Sequence, residues 1–218
     1  GPLTIILPKA ACIPDEVSPG LDTVSVRLPA HPVARAVISA AGVPLAAPSA
    51  NLSGRPSPTT AEHVRHDLGG RIEAVLDGGE CGVGVESTVV SLACDPPRLL
   101  RPGGVTLEQL EAVLGSVTVD PAVTKPLAEG AKAASPGMKY KHYAPAAPVK
   151  IVEGTREAYI RFVNSRAFEG AAALCYDGDA PELKIPFVCY GGENAPEKQA
   201  RELFDALRRL DQIEAKIV

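Results

Sequence analysis

The chain has no tryptophan, and aromatic residues make up only 4% of its 218. Apolar residues still account for 45%, so the core must be built from Val, Leu, Ile and Ala, as in α/β folds. No apolar run approaches the roughly 18 residues of a membrane-spanning helix, and no signal peptide is visible. Excess basic charge is also missing: 22 Lys and Arg stand against 26 Asp and Glu, a net charge of −4. That balance excludes a global field for nucleic acid and leaves only a local basic patch open. The five cysteines (Cys12, Cys81, Cys94, Cys175, Cys189) are odd in number and contain no Cys-x-x-Cys pair. Neither a zinc site nor a disulfide framework is favoured. Cys94, Cys175 and Cys189 lie in apolar runs and read as small core residues. His31, His63 and His66 show no metal-ligand spacing. These absences lead to the expectation of a soluble, cytoplasmic protein of a reducing compartment, with no membrane contact.

What the chain does have is loops. Its 21 prolines and 20 glycines fall between apolar runs, which marks tight turns rather than disorder. The segment from Pro44 to Thr59 is the most informative of them: small residues (Ala46, Ala47, Ser49, Ala50) give way to Asn, Ser, Gly and Pro. Such a turn brings backbone N–H groups and small hydroxyls close to a ligand, because no bulky side chain intervenes. Polyanions such as nucleotide phosphates suit it. Two further small-polar clusters follow, Gly82–Thr88 and Arg101–Gly104, and together the three point to a nucleotide or anion pocket.

The pattern predicts strands at Leu3–Leu7, Thr23–Leu28, Val43–Ala47, Ala74–Leu76, Ser87–Leu92 and Leu99–Arg101. Helices are expected over Pro32–Ala41 with Gly42 as stop, from a Thr59/Glu62 capping box to Leu68, and from a Thr106/Gln109 cap to Leu114 with Gly115 as stop. Residues 121–148 form a Pro-, Ala-, Lys- and Gly-rich linker, long enough to be functional or disordered. Its dense cluster Ser135–Pro145 favours a functional role. Beyond it, strands at Val149–Val152, Ala171–Tyr176, Phe187–Tyr190 and Ile213–Val218 alternate with helices at Thr155–Ala167 and Pro196–Leu210. That alternation predicts a small parallel α/β domain. No Gly-x-Gly-x-x-Gly occurs there, so a dinucleotide fingerprint is absent.

These pieces resemble the long, two-domain form of the threonylcarbamoyl-AMP synthase, YrdC-like family. The resemblance rests on Gly1-Pro-Leu-Thr4, Asp22-Thr-Val-Ser-Val-Arg-Leu-Pro29, Ala47-Pro-Ser-Ala-Asn-Leu-Ser-Gly54, Gly84-Val-Glu-Ser-Thr88, Leu100-Arg-Pro-Gly103 and Pro136-Gly-Met-Lys-Tyr-Lys-His-Tyr-Ala-Pro145. Each is weak alone, but order and spacing agree throughout. The implied architecture is a twisted mixed-sheet YrdC-like domain, partial here, over 1–120. A linker or lid spans 121–148 and a small Rossmann-like parallel α/β domain spans 149–218. The family's upstream half, with a Pro-Thr-Glu-Thr and a Lys-x-Arg-Pro motif, is not in this sequence. The expectation is therefore a fragment.

The implied reaction joins L-threonine, bicarbonate and ATP into threonylcarbamoyl adenylate and releases pyrophosphate. Magnesium enters with ATP and needs no protein cage of its own. The product feeds adenosine modification in tRNA through a threonylcarbamoyl transferase complex, and direct tRNA contact stays open. Every reactant is anionic, so charge stabilisation and positioning should dominate. By resemblance Arg27, Ala47 and Ser87 meet threonine, Arg27 clamping its carboxylate. Thr23, Ser49, Asn51, Ser57 and Arg101 meet ATP, and His142 and Tyr143 close over it from the linker. Without the resemblance, Arg27 reads as a surface ion-pair partner, Thr23 as strand filler, and Asn51 and Ser57 as turn formers. A nucleophilic Ser87 lacks a Gly-x-Ser-x-Gly elbow and a base. An RNA-binding module of the same fold is the main alternative, weakened by the acidic balance. A carbamoyl-phosphate-using maturation protein is a third, disfavoured by the His-Tyr-Ala-Pro linker.

Overall fold

A computed structural model of the chain describes residues 1–124 and 144–218. In chain order its elements are β1 (Leu3–Pro8), β2 (Thr23–Val26), α1 (Pro32–Ala41), α2 (Ala61–Leu68), β3 (Thr88–Ser91), β4 (Arg98–Arg101), α3 (Leu107–Leu114), β5 (Thr118–Val119), α4 (Arg156–Asn164), β6 (Ala173–Cys175), β7 (Phe187–Cys189) and α5 (Pro196–Gln212). They fall into two units, one of residues 1–48 and 86–124, the other of residues 49–85 and 144–218. No helix of the described residues is long and apolar enough to cross a membrane.

The first unit is built on a five-stranded sheet in the order β2-β1-β3-β4-β5. Pairing alternates along it: β1 is antiparallel to β2 and parallel to β3, and β4 is antiparallel to β3 and parallel to β5. The central β3 (Thr-Val-Val-Ser) is buried along its whole length, as its β-branched run requires of a strand covered on both faces. Alternate residues serve opposite faces. Val90 and Leu99 pack with Leu110 and Val117, and with half-buried Leu3, Ile5, Leu107 and Leu114, so α3 covers this face. Ile6, Val89 and Leu100 form a smaller cluster, and Thr4 falls on their side of β1. α3 begins with a reciprocal capping box between Thr106 and Gln109, and α1 ends at Gly42, with φ 67°.

In the second unit β6 and β7 run parallel, with Cys175 beside Cys189. α5 lays Phe204, Leu207 and Leu210 against Ala172 and Val188. α4 contributes Val163 to a cluster with Ala173 and Ile185. Each such fully buried Leu, Val or Phe contributes about 1.5–3 kcal/mol relative to exposure.

Several expected elements differ. Val43–Ala47 and Ala74–Leu76 form no strand. Pro44 has no N–H to give a ladder, and Val43, Leu45 and Leu76 are exposed rather than core-facing. The cap of α2 is Thr60, not Thr59: the Thr60 hydroxyl accepts from His63 N–H at 3.3 Å, while Glu62 pairs with Arg65 instead of completing a box. Val149–Val152 and Ile213–Val218 are not regular strands. Lys150 N–H donates to the Val218 carbonyl at 2.7 Å, and Ala172 N–H to that of Ile217 at 2.9 Å, so residues 217 and 218 bond on both sides. The helix expected from Thr155 to Ala167 stops at Asn164, followed by a short 3-10 turn.

Candidate functional site

Four strand ends meet at one edge of the first unit's sheet. β1 and β2 are antiparallel, so the start of β1 lies beside the end of β2. β3 is parallel to β1 and starts at that edge, and β4, antiparallel to β3, finishes there. Thr4, Arg27, Ser87 and Arg101 stand at these four ends.

They form one hydrogen-bonded cluster. Arg27 donates through Nε to Thr4 Oγ1 at 2.8 Å and through a terminal nitrogen to Ser87 Oγ at 2.7 Å. Arg101 donates to the same Ser87 Oγ at 3.1 Å and twice to the Ser87 carbonyl, at 3.0 and 2.9 Å. Thr4 and Ser87 are both only 6% exposed, and their hydroxyl oxygens lie 3.1 Å apart. Donor accounting fixes the direction of that last bond. Two guanidinium donors fill the acceptor sites of Ser87 Oγ, so its hydrogen goes to Thr4. Thr4 then accepts twice, and its own hydrogen meets no acceptor among the described residues.

The charges do not cancel. Arg101 lies 3.4 Å from Glu86, both largely buried, while no carboxylate among the described residues pairs with Arg27. Among the described residues, two guanidiniums stand against one carboxylate, an excess of positive charge beside a hydroxyl donor and an exposed Arg27. A planar carboxylate can take two parallel bonds from such a fork. Gly103 makes the geometry possible. A Cβ there would lie 2.3 Å from the Glu86 carbonyl oxygen and 2.4 Å from Thr88 N, so only glycine lets the turn after β4 lie on the backbone that carries Ser87. Ser87 itself has two cations on its oxygen and no imidazole or carboxylate accepting its proton among the described residues, which makes it a positioning group rather than a nucleophile.

The other expected site residues are spread more widely. Thr23 starts β2, four residues from Arg27 and so about 13 Å along an extended chain. It is half-buried, and its side chain makes no hydrogen bond among the described residues. Ala47, near the end of the first unit's opening segment, is exposed. Ser49, Asn51 and Ser57 belong to the second unit, Ser49 exposed and Ser57 buried. Asn51 donates from its amide nitrogen to the carbonyls of Leu52 and Arg55, at 2.9 and 3.2 Å, and its side-chain oxygen is buried without a donor. His142 and Tyr143 lie outside the described residues. Thr4 was not singled out from the sequence as a site residue. The one signal for it was its place in the Gly1–Thr4 match.

No group of three or more metal-ligating side chains occurs among the described residues. A cavity of about 660 Å³ opens in the second unit between residues 149–156 and 171–176. None of the expected site residues among the described ones lines it, and its arginines are already paired, Arg156 with Asp179 and Glu182, and Arg166 with Glu169.

Residues 1–103 match a family model described as Telomere recombination, and residues 105–218 match one described as Threonylcarbamoyl-AMP synthase, C-terminal domain. The chain belongs to the threonylcarbamoyl-AMP synthase family. It is 49% identical to the Bacillus subtilis threonylcarbamoyl-AMP synthase, over 97% of this chain and 62% of that protein. It is 45% identical to the Pyrococcus abyssi synthase, over 100% of this chain and 64% of that protein. Among solved structures, P. abyssi Sua5 complexed with L-threonine superposes with a TM-score of 0.86 at 44% identity, covering 100% of this chain and 64% of that one. A variant of P. abyssi Sua5 with an adjacent His–Tyr pair replaced by alanine gives 0.87 at 42% identity, covering 100% and 62%. The chain thus spans less than two thirds of these relatives. The mixed α/β architecture and YrdC-like fold class expected from the sequence agree with these neighbours.

Proposed function

We propose that this chain carries the threonine-binding and nucleotide-binding parts of an L-threonylcarbamoyladenylate synthase, a nucleotidyltransferase acting in tRNA modification. The observation that carries the reading is Arg27: a guanidinium fixed by two buried hydroxyls and facing no carboxylate among the described residues. That is a receptor for the carboxylate of an amino acid. It is supported by the L-threonine bound in the P. abyssi relative. The substrates are L-threonine, bicarbonate and ATP with Mg²⁺. The threonine nitrogen bonds to the carbonate carbon, with loss of water, and a carbonate oxygen displaces pyrophosphate from the α-phosphorus.

Arg27, Thr4 and Ser87 bind and orient the threonine, with Ala47 against its side chain. Arg101 stands beside the same serine, where it can stabilise charge developing on the α-phosphate. Ser49, Asn51, Ser57 and Thr23 serve the nucleotide. His142-Tyr143 is the sole His–Tyr pair in this sequence and acts as a lid that keeps water from the carbonate-derived intermediate. The product passes to a threonylcarbamoyl transferase complex.

The test is incubation with ATP, Mg²⁺, L-threonine and ¹³C-bicarbonate, read by mass spectrometry. Labelled threonylcarbamoyl adenylate that disappears in Arg27→Ala is the expected result. Label that forms equally without Arg27 overturns the assignment of the carboxylate site.

A further inference from the structure

Within the second unit, a helix matched to the C-terminal family model grips a loop matched to the other. α5 is amphipathic, and Arg208 stands on its buried side among Phe204, Leu207 and Leu210, itself 8% exposed. Its guanidinium reaches Asp67 on α2 with both terminal nitrogens, at 2.7 and 3.2 Å, and donates to the Pro56 carbonyl at 2.6 Å. The Asp67 side chain is fully buried. Beyond Arg208 it accepts from Leu52 N–H at 3.3 Å, Arg55 at 3.3 Å and His66 at 3.0 Å. One ion pair therefore ties both ends of the Leu52–Pro56 turn, and α5 anchors that pair. A second rung lies one turn away. His63 accepts from Thr59 N–H through Nδ1 at 3.2 Å and reaches Asp205 through Nε2 at 3.4 Å. Gly84 seals the same seam, since a Cβ there would overlap the Arg201 carbonyl.

The gripped loop holds Asn51 and Ser57. The Asn51 amide points its nitrogen at two loop carbonyls, which leaves its oxygen buried with no donor. An unsatisfied buried acceptor costs stability, and here a ligand hydroxyl or amino group would satisfy it. We propose that Arg208, acting through Asp67 and the Pro56 carbonyl, is a positioning residue that sets loop 49–57 for ATP. The proposal rests on the reading of that loop as the nucleotide site. It gives α5 a role in nucleotide affinity, at a distance of 141 residues from its partner Asp67.

The test uses the chain with Arg208→Lys, which keeps a charge for Asp67 but cannot hold both carboxylate oxygens and the Pro56 carbonyl. A second variant, Arg208→Met with Asp67→Asn, removes both charges so that neither is left buried alone. ATP and L-threonine affinities are measured separately by calorimetry, and amide exchange at Leu52 reports the loop directly. Expected are faster Leu52 exchange, ATP binding weakened about tenfold or more, and threonine binding within twofold of the unsubstituted chain. ATP and threonine affinities that fall together mark a merely structural role and overturn the proposal. Faster exchange with ATP affinity unchanged also overturns it. If the unsubstituted chain binds threonine but not ATP, the nucleotide reading of the loop fails first and the proposal with it.

Discussion

Replacing Ser87 by alanine removes one oxygen that organises three other residues. In the intact site that oxygen accepts from Arg27 at 2.7 Å and from Arg101 at 3.1 Å, and it meets the Thr4 hydroxyl at 3.1 Å. Hydrogen bonds to charged groups are each worth about 1.5–3 kcal/mol net, but the whole sum will not be felt. Arg101 keeps both bonds to the Ser87 carbonyl, and exposed Arg27 can hydrate the donor it loses. One charge-assisted bond's worth, about 1.5–3 kcal/mol, is therefore a fair magnitude. It corresponds to roughly 10- to 150-fold weaker threonine binding, since 1.4 kcal/mol is tenfold. The fold should survive, because Thr88–Ser91 keep their ladder bonds to β1 and β4. Calorimetric titration with L-threonine measures the change. A loss under threefold, with the fold intact, would refute the view that Ser87 holds Arg27 in place for a carboxylate.

Gly103→Ala puts a Cβ within 2.3–2.6 Å of the 86–88 backbone. It should weaken threonine binding and lower the melting temperature together, checked by titration and thermal melting of the same sample. Leu210→Ala empties a position 1% exposed and should cost about 2–5 kcal/mol in urea unfolding, with threonine affinity retained in the folded fraction. Acid should destabilise the chain through His63 and Asp67. Burial, then the Arg208 charge, pushes His63 below its ordinary 6.5 against the pull of Asp205 and Asp67. Burial alone would raise Asp67, but hydrogen bonds from Arg208 and His66 hold it well below 3.8. Both groups bind protons more weakly folded than unfolded, so their contributions are complete above about pH 6.5 and fall as pH drops. His63 acts first and Asp67 below about pH 4. The urea midpoint should decline from pH 7 to 5 and further by pH 3, and a midpoint that rises on acidification would contradict the assignment.

Local signals in the sequence carried furthest. The Thr106/Gln109 box and the Pro32 start and Gly42 stop of α1 were legible because a cap depends on residues within one turn. Val43–Ala47 was misread because an apolar run looks like a strand whether or not a partner exists to pair it, and Pro44 limits what it can donate. In the site, Arg27, Ser87 and Arg101 could be chosen from motif matches. Thr4 also lies in a motif match, but nothing local marks it, since its hydroxyl gains meaning only when β1 lies parallel to β3, 83 residues away. Asp67 and Arg208 posed the same problem, yet one clue was present. An arginine on the apolar stripe of α5, between Leu207 and Leu210, cannot be buried without a partner, and the sequence shows that stripe plainly.

The most direct test of the central claim, that Arg27 receives an amino-acid carboxylate, is calorimetric comparison of L-threonine with L-threoninol, which lacks that group. Titrations are run on the unsubstituted chain and on Arg27→Ala. The account predicts that the unsubstituted chain prefers threonine by at least tenfold and that the preference collapses in Arg27→Ala. Undiminished preference without Arg27 would contradict it.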